Sequence, residues 1–115
     1  MKISLDNVGQ LDGFILETKD SYSTDFSNRD IENALEEMLD DNKFYVTLAA
    51  PEAQNKVRAV SVKSTKKGVE IKLGIEDKKN IIVHKICTSE ECFDIFLDFY
   101  DGAFSPDLKE YTQSK

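Results

Sequence analysis

Four consecutive stretches of β-type sequence between residues 43 and 87 constrain the fold of this 115-residue chain more than any other feature. They are Lys43–Ala50, Lys56–Ser64, Val69–Ile75 and Ile81–Cys87, and only short polar turns separate them. In the third stretch, apolar residues alternate with Glu, Lys and Gly, which is typical of a strand with one buried face. Because parallel strands need a crossover of about a dozen residues or more, the short turns predict an antiparallel meander.

An amphipathic helix is predicted before the meander. It begins near Ser27 or Asn28, both favourable N-cap residues, and Asp41-Asn42 ends it. Its apolar residues recur at the i, i+3, i+4, i+7, i+8 spacing of a helix with one buried face. They are Ile31, Ala34, Leu35, Met38 and Leu39.

A second helix is predicted after the meander. Thr88 and Glu91 have the spacing of a capping box, in which the hydroxyl and the carboxylate each accept a hydrogen bond from a free backbone N–H. The helix ends at Asp101-Gly102, and its apolar residues cover more than one face, so we expect most of it to be packed.

The remaining segments complete an α+β fold. Two short strand candidates, Lys2–Leu5 and Gly13–Thr18, precede the first helix, and residues 19–26 are predicted to be a loop. Pro51 is expected to close its strand, and the tail after Gly102 is expected to be extended, with its last few residues frayed. The order ββαββββα predicts one antiparallel sheet of five to six strands with two helices packed on it. The whole chain, residues 1–115, is expected to be a single domain.

The termini and cysteines indicate a compartment. The N-terminus lacks the pattern of a signal peptide, and the longest apolar runs are too short to cross a membrane. Cys87 and Cys92 are expected to be reduced thiols packed as small apolar side chains. We therefore expect a cytoplasmic protein that has no membrane partner.

Composition and motifs argue against two classes of function. With 15 basic and 22 acidic residues the net charge is −7, which does not favour direct binding of nucleic acid. The one histidine, His84, lies within an apolar strand and cannot supply a multi-histidine metal site. No nucleophile, phosphate-binding or metal-binding motif is present. We expect no enzymatic activity, cofactor or metal, although a catalytic or small-molecule site in a groove between sheet and helices remains an alternative.

Charge is distributed unevenly along the chain. Residues 1–41 hold 3 basic and 11 acidic residues (net −8), residues 42–88 hold 10 and 4 (net +6), and residues 89–115 hold 2 and 7 (net −5). The helix-bearing ends are acidic and the meander is basic. In one interpretation, the helix carboxylates neutralise lysines at the rim of the sheet. In another, the acidic charge only keeps the protein soluble.

Acidic stripes on both helices favour a third interpretation. Like charges at i,i+4 destabilise a helix by roughly 0.2–0.5 kcal/mol each, and the second helix has no basic residue to offset them. Such stripes suit a surface that attracts and covers a basic partner. The candidate partner-binding residues are Glu90, Asp94, Asp98 and Asp101 on the second helix and Glu32, Glu36, Glu37 and Asp40 on the first.

The second helix also carries a family resemblance. Residues Ser89–Gly102 (SEECFDIFLDFYDG), followed by Ser105–Leu108 (SPDL), resemble the C-terminal helix and exit of small immunity proteins from bacterial polymorphic-toxin and contact-dependent growth-inhibition systems. The upstream order is similar as well, with a helix at Ile31–Leu39 followed by Phe44–Leu48 and successive hairpins.

This resemblance implies a cytoplasmic antidote that binds the C-terminal domain of one cognate toxin. Many toxins of this class are basic nucleases, so the resemblance implies inhibition by steric and electrostatic blockade. The alternative from another class is a cytoplasmic adaptor or regulatory module that binds a different protein.

Overall fold

The computed structural model describes residues 13–77 and 79–113, which form an α+β fold of seven strands and two longer helices. In chain order the elements are β1 (Ile15–Thr18), β2 (Tyr22–Ser23), α1 (Asn28–Asp40), β3 (Tyr45–Gln54), β4 (Val57–Thr65), β5 (Gly68–Glu76), β6 (Asn80–Cys87), α2 (Ser89–Asp101), a 3-10 turn (Leu108–Glu110) and β7 (Thr112–Gln113). All strands belong to one antiparallel sheet in the order β2-β1-β3-β4-β5-β6-β7.

The predicted meander is confirmed as strands β3–β6, and one row of paired residues shows how the core is built. The row crosses five strands, and all of its side chains are buried on the face that the helices cover: Leu16, Leu48, Val60, Leu73 and Val83. Burying each such side chain contributes about 1.5–3 kcal/mol. Period-two alternation in the sequence therefore fixes which face of the sheet receives the helices.

Helix α1 begins and ends where the sequence predicts. The backbone N–H of Ser27 donates to the Asp30 carboxylate at 2.9 Å, which satisfies a donor that the helix itself leaves free. Four apolar residues of the predicted stripe are buried against the sheet: Ile31, Ala34, Leu35 and Met38. The fifth, Leu39, was expected to be buried with them, but its side chain is 38% exposed.

Helix α2 has the predicted bounds and half of the predicted capping box. The Thr88 hydroxyl accepts a hydrogen bond from the Glu91 N–H at 3.1 Å, and Gly102 ends the helix in the left-handed conformation, with φ of 80°. The Glu91 carboxylate instead contacts the Lys85 ammonium. Within the described part of the chain, neither 13-residue helix is long and apolar enough to cross a membrane.

Strand β3 runs past Pro51, so the prediction that this proline closes the strand is wrong. The pairing of β3 with β4 shifts between Ala49 and Gln54, and Pro51 lies inside this bulge. A bulge needs no ladder hydrogen bond from the proline nitrogen, which explains why the strand continues. The buried Arg58 side chain compensates for the lost pairing, because its Nε donates to the carbonyl oxygen of Ala50 at 2.8 Å.

Two short strands lie in segments that were predicted to be a loop and an extended tail. Residues 19–26 contain β2, which pairs with β1 and extends the sheet. The tail is not simply extended, because β7 pairs with β6 after the 3-10 turn. Both added strands have only two residues, too few to show an alternation in the sequence. The predicted strand Lys2–Leu5 lies outside the described residues.

Candidate partner-binding surface

The two helices form one layer on the sheet, and this layer carries all the predicted partner-binding residues. Each of the eight carboxylates is exposed to solvent. They are Glu32, Glu36, Glu37 and Asp40 on α1 and Glu90, Asp94, Asp98 and Asp101 on α2. We refer to these eight residues as the acidic helix face.

The helices lie side by side and run in opposite directions. At one end, the Tyr100 hydroxyl of α2 donates to the carbonyl oxygen of Phe26, just before α1, at 3.1 Å. At the other end, Leu39 near the end of α1 and Phe93 near the start of α2 line the same groove. This arrangement brings Asp40 of α1 to the same end of the layer as Glu90 and Asp94 of α2.

None of the eight carboxylates of the acidic helix face forms an ion pair with a described residue. The carboxylates that do so are Glu70, Glu76, Asp77, Glu91 and Glu110. Of these five, only Glu91 belongs to α1 or α2, and its partner Lys85 is in β6. Neutralisation of sheet lysines by helix carboxylates is therefore limited to this one pair in the described part of the chain.

The acidic helix face also opposes helix stability at two points. Asp40 and Asp101 are the last residues of their helices, and neither helix has a basic residue in its last turn. Carboxylates near the negative end of the helix dipole are unfavourable, typically by about 0.3–1 kcal/mol. The presence of Asp40 and Asp101 at these positions is therefore not explained by helix stability.

An open groove separates the end of α1 from the start of α2. It has a volume of about 520 Å³ and is lined by Leu39, Ser89, Glu90, Phe93 and Asp94. The Leu39 side chain is partly exposed, and Phe93 is half-buried. Two apolar side chains thus lie between carboxylates. We call this feature the Leu39–Phe93 groove.

Glu37 lies on a different side of the helix layer. It lines a polar cleft of about 340 Å³ between α1 and the β1–β2 hairpin, together with Asp25 and Asp30. The acidic helix face is therefore not one continuous patch, because Glu37 and the Leu39–Phe93 groove are on opposite flanks of α1.

Lys85 connects β6 to α2 and to the C-terminal tail. Its ammonium contacts the carboxylates of Glu91 and Glu110 and lies 4.8 Å above the ring centre of Tyr111. Burial alone would lower the pKa of Lys85, but the hydrogen bonds to both carboxylates outweigh it and raise the pKa. Lys85 thus remains a charged structural anchor and not a proton acceptor.

Both thiols are free and buried. Burial, reinforced by the negative charge of Glu91, raises the pKa of Cys87 to about 11, and burial raises the pKa of Cys92 as well. Since the thiolate is the reactive form, neither side chain is suited to be a nucleophile at neutral pH. These environments fit the structural role that we predict for both residues.

His84 lies in β6, where it pairs with Lys72 of β5 on one side and Thr112 of β7 on the other. Among residues 13–77 and 79–113, no three His, Cys, Asp or Glu side chains are grouped so that they could hold a metal ion. The expectation that the protein is not an enzyme stays a prediction.

Two features of the structure were missed from the sequence. Leu39 was assigned to the core because it fits the helical stripe, although its neighbours Asp40 and Asp41 mark the end of that stripe. Arg58 was not singled out, although an arginine between Val57 and Ala59 in a β-type run is an unusual residue for a buried strand.

Comparison with known proteins identifies no relative: no protein family, no curated protein and no solved structure matches this chain at a significant level.

Proposed function

We propose that this chain is an immunity protein that binds a basic toxin domain through its helix layer. One observation carries the proposal: eight exposed carboxylates on two adjacent helices have no ion-pair partner among the described residues. The resemblance of Ser89–Gly102 and Ser105–Leu108 to immunity proteins supports the choice of a toxin domain as the partner. A cytoplasmic location and the absence of catalytic activity are parts of the same proposal.

Electrostatics explains how such a surface would act. Exposed carboxylates attract a basic protein over a distance of about 8 Å at physiological salt and raise the rate of encounter. Once the surfaces meet, the two-helix layer covers the region around the basic cleft. A nuclease whose cleft is covered in this way cannot admit the phosphate backbone of its substrate.

The test is protection of cells against a toxin domain encoded by the reading frame next to this gene. The toxin domain is expressed from an inducible promoter with and without this chain, and growth is recorded. We expect growth to be restored only when both proteins are present. Normal toxicity in the presence of well-folded chain would contradict the proposal.

A titration in vitro distinguishes an antidote from an enzyme that inactivates the toxin. Purified toxin domain is mixed with increasing amounts of this chain, and the remaining nuclease activity is measured. A stoichiometric antidote stops the activity at an equimolar ratio, whereas an enzyme would do so at a small fraction of that ratio. An adaptor would bind a protein of another class and would leave the toxin activity unchanged.

A further inference from the structure

We propose that the Leu39–Phe93 groove receives an apolar side chain of the partner, flanked by lysine or arginine residues. This inference rests on the proposed function, because it assumes that the helix layer is the binding surface, and it specifies the chemistry of the partner at one place on that layer.

The apolar part of the proposal comes from Leu39 and Phe93. Leu39 is 38% exposed on a helix whose four other apolar residues are buried. Phe93 is half-buried on the facing helix, and the groove between them has a volume of about 520 Å³. This volume is within the range of about 300–1,000 Å³ that is typical of ligand pockets.

The groove is open to solvent, so it suits a side chain that projects from another surface. Protein interfaces commonly place such an apolar anchor at their centre and surround it with a polar rim. The Leu39–Phe93 groove has this arrangement before any partner is bound.

The acidic residues around the groove indicate that basic residues flank the apolar side chain of the partner. Glu90 and Asp94 line the groove, and Glu36 and Asp40 lie on α1 close to Leu39 in the sequence. None of the described residues that line it is basic. An anchor with neutral or acidic neighbours would leave these carboxylates covered and without a counter-charge, which is unfavourable.

Charge complementarity also argues against a second copy of this chain as the occupant. The helix layers of two copies carry the same negative charge, so bringing them together at the groove would place like charges opposite each other. A copy that offered its basic meander instead would make the chain dimerise through the groove, which the dimerisation measurement detects.

The probe is a short synthetic peptide in which one leucine stands between pairs of lysines. Two matched peptides replace the leucine with serine or the lysines with glutamate. Binding to isotope-labelled protein is followed by backbone amide chemical shifts. We expect the leucine peptide to shift amides at Leu39, Ser89 and Phe93, and each replacement to weaken binding by roughly tenfold.

Two variants of the chain test the same contact from the other side. Leu39→Ser removes an exposed apolar side chain that lines the groove, and Leu108→Ser removes a leucine with the same 38% exposure in the 3-10 turn after α2. Because both side chains are partly exposed, we expect both variants to fold. Leu39→Ser should weaken peptide binding by roughly tenfold, and Leu108→Ser should leave it unchanged.

The outcomes separate this inference from the proposed function. Equal binding of the leucine and serine peptides, or shifts located away from the groove, would overturn the inference. Concentration-dependent dimerisation that Leu39→Ser abolishes would also overturn it, because a second copy would then occupy the groove. If the groove binds the peptide as expected but the chain gives no protection against the toxin, the proposed function fails while the inference stands. If protection is complete and unaffected by Leu39→Ser, the inference fails while the proposed function stands.

Discussion

Nδ2 of Asn55 donates a hydrogen bond at 2.8 Å to the carbonyl oxygen of Phe104, which lies 49 positions further along the chain. Beside it, Nε2 of Gln54 donates to the carbonyl oxygen of Phe99 at 3.0 Å. The turn between β3 and β4 thus fixes the end of α2 and the segment that follows it. This contact connects a turn between two interior strands of the sheet to the helix layer on which the proposed binding surface lies.

Two replacements of Asn55 should separate the contribution of its hydrogen bond to stability from that of its backbone conformation. Asn55 has φ of 49°, a left-handed conformation that glycine adopts easily and alanine does not. Asn55→Ala loses the hydrogen bond, at about 0.5–1.5 kcal/mol, and gains backbone strain of about 1–2 kcal/mol, so we expect a loss of about 1.5–3.5 kcal/mol in the free energy of unfolding. Asn55→Gly loses only the hydrogen bond and should cost less than about 1.5 kcal/mol. Urea denaturation of both variants measures the difference, and an unchanged midpoint for Asn55→Ala would contradict the prediction.

The next residue in the turn offers a stabilising change. Lys56 has φ of 71°, and two left-handed residues in a two-residue hairpin turn correspond to type I′, which favours glycine at the second position. Lys56→Gly relieves this strain but gives up an exposed ion pair with Asp77 at 3.1 Å, which contributes at most about 1 kcal/mol. We expect a net gain of about 0.5 kcal/mol, measured as a higher thermal midpoint. Asp77→Asn is the control, since it removes the ion pair and leaves the turn unchanged.

Arg58 should be the most sensitive polar residue of the sheet. It is 4% exposed, donates to the carbonyl oxygen of Ala50 at 2.8 Å and pairs with the Glu76 carboxylate at 2.7 Å. Arg58→Ala leaves the Ala50 carbonyl without this donor inside the bulge, so we expect a loss of about 2–4 kcal/mol. Arg58→Lys should restore little, because a lysine has no planar fork that reaches both acceptors. A loss below about 1 kcal/mol for Arg58→Ala in guanidinium denaturation would contradict this account.

The sequence predicts the regular parts of this fold well for a physical reason. A half-buried strand alternates with a period of two and a surface helix repeats near 3.6 residues, so Val69–Ile75 and Ile31–Met38 identify their own buried faces. The bulge around Pro51 is not predictable in this way, because it depends on Arg58 reaching a carbonyl group on the neighbouring strand.

The candidate site follows the same division. Periodicity predicts that the carboxylates of α1 and α2 point to solvent, and the structure confirms that they do. The exposure of Leu39 depends on how α2 is placed beside α1, and Glu37 lies in a separate cleft because the β1–β2 hairpin packs next to it. Both are tertiary relationships between distant segments, which a local pattern does not encode.

The buried thiols should make stability depend on pH in the alkaline range. The pKa of Cys87 is about 11 in the folded chain, against an ordinary value of 9.0. The folded state therefore retains this proton more tightly than the unfolded state. The resulting stabilisation is complete below pH 9.0 and is lost as the pH rises towards 11.

Cys87→Ser tests this dependence directly. The free energy of unfolding of the natural chain should fall by up to about 2–3 kcal/mol between these pH values through Cys87 alone, and the fall should be smaller in the variant. At neutral pH, replacement of both cysteines by serine should lower stability modestly and leave partner binding nearly unchanged. Identical pH profiles for the natural chain and Cys87→Ser would contradict the raised pKa of Cys87. Binding that depends on oxidation of the thiols would contradict a purely structural role.

Reversing Asp94 and Asp98 to lysine should separate binding from stability. The double change turns the repulsion of position 94 with Glu90 and of position 98 with Asp101 into attraction, at about 0.2–0.5 kcal/mol per pair, while positions 94 and 98 still carry like charges. The thermal midpoint should therefore stay equal or rise slightly. Association with the toxin domain should become slower and less dependent on salt, because exposed charges that steer encounter have been removed. Where a carboxylate is fully covered in the complex, its loss costs about 2–5 kcal/mol of binding free energy, which would abolish protection.

The control is the double change Asp20→Lys with Glu52→Lys, which alters the net charge equally, from −7 to −3, at exposed positions outside the helices. Because long-range attraction depends on total charge while contact depends on position, the control should slow association slightly and keep protection intact. Equal loss of protection in both double variants would mean that net charge alone governs binding. Loss of stability together with binding in the Asp94 and Asp98 variant would show that these residues are structural. Unchanged binding with unchanged salt dependence would mean that the interface lies on α1 instead, around Glu32, Glu36 and Asp40.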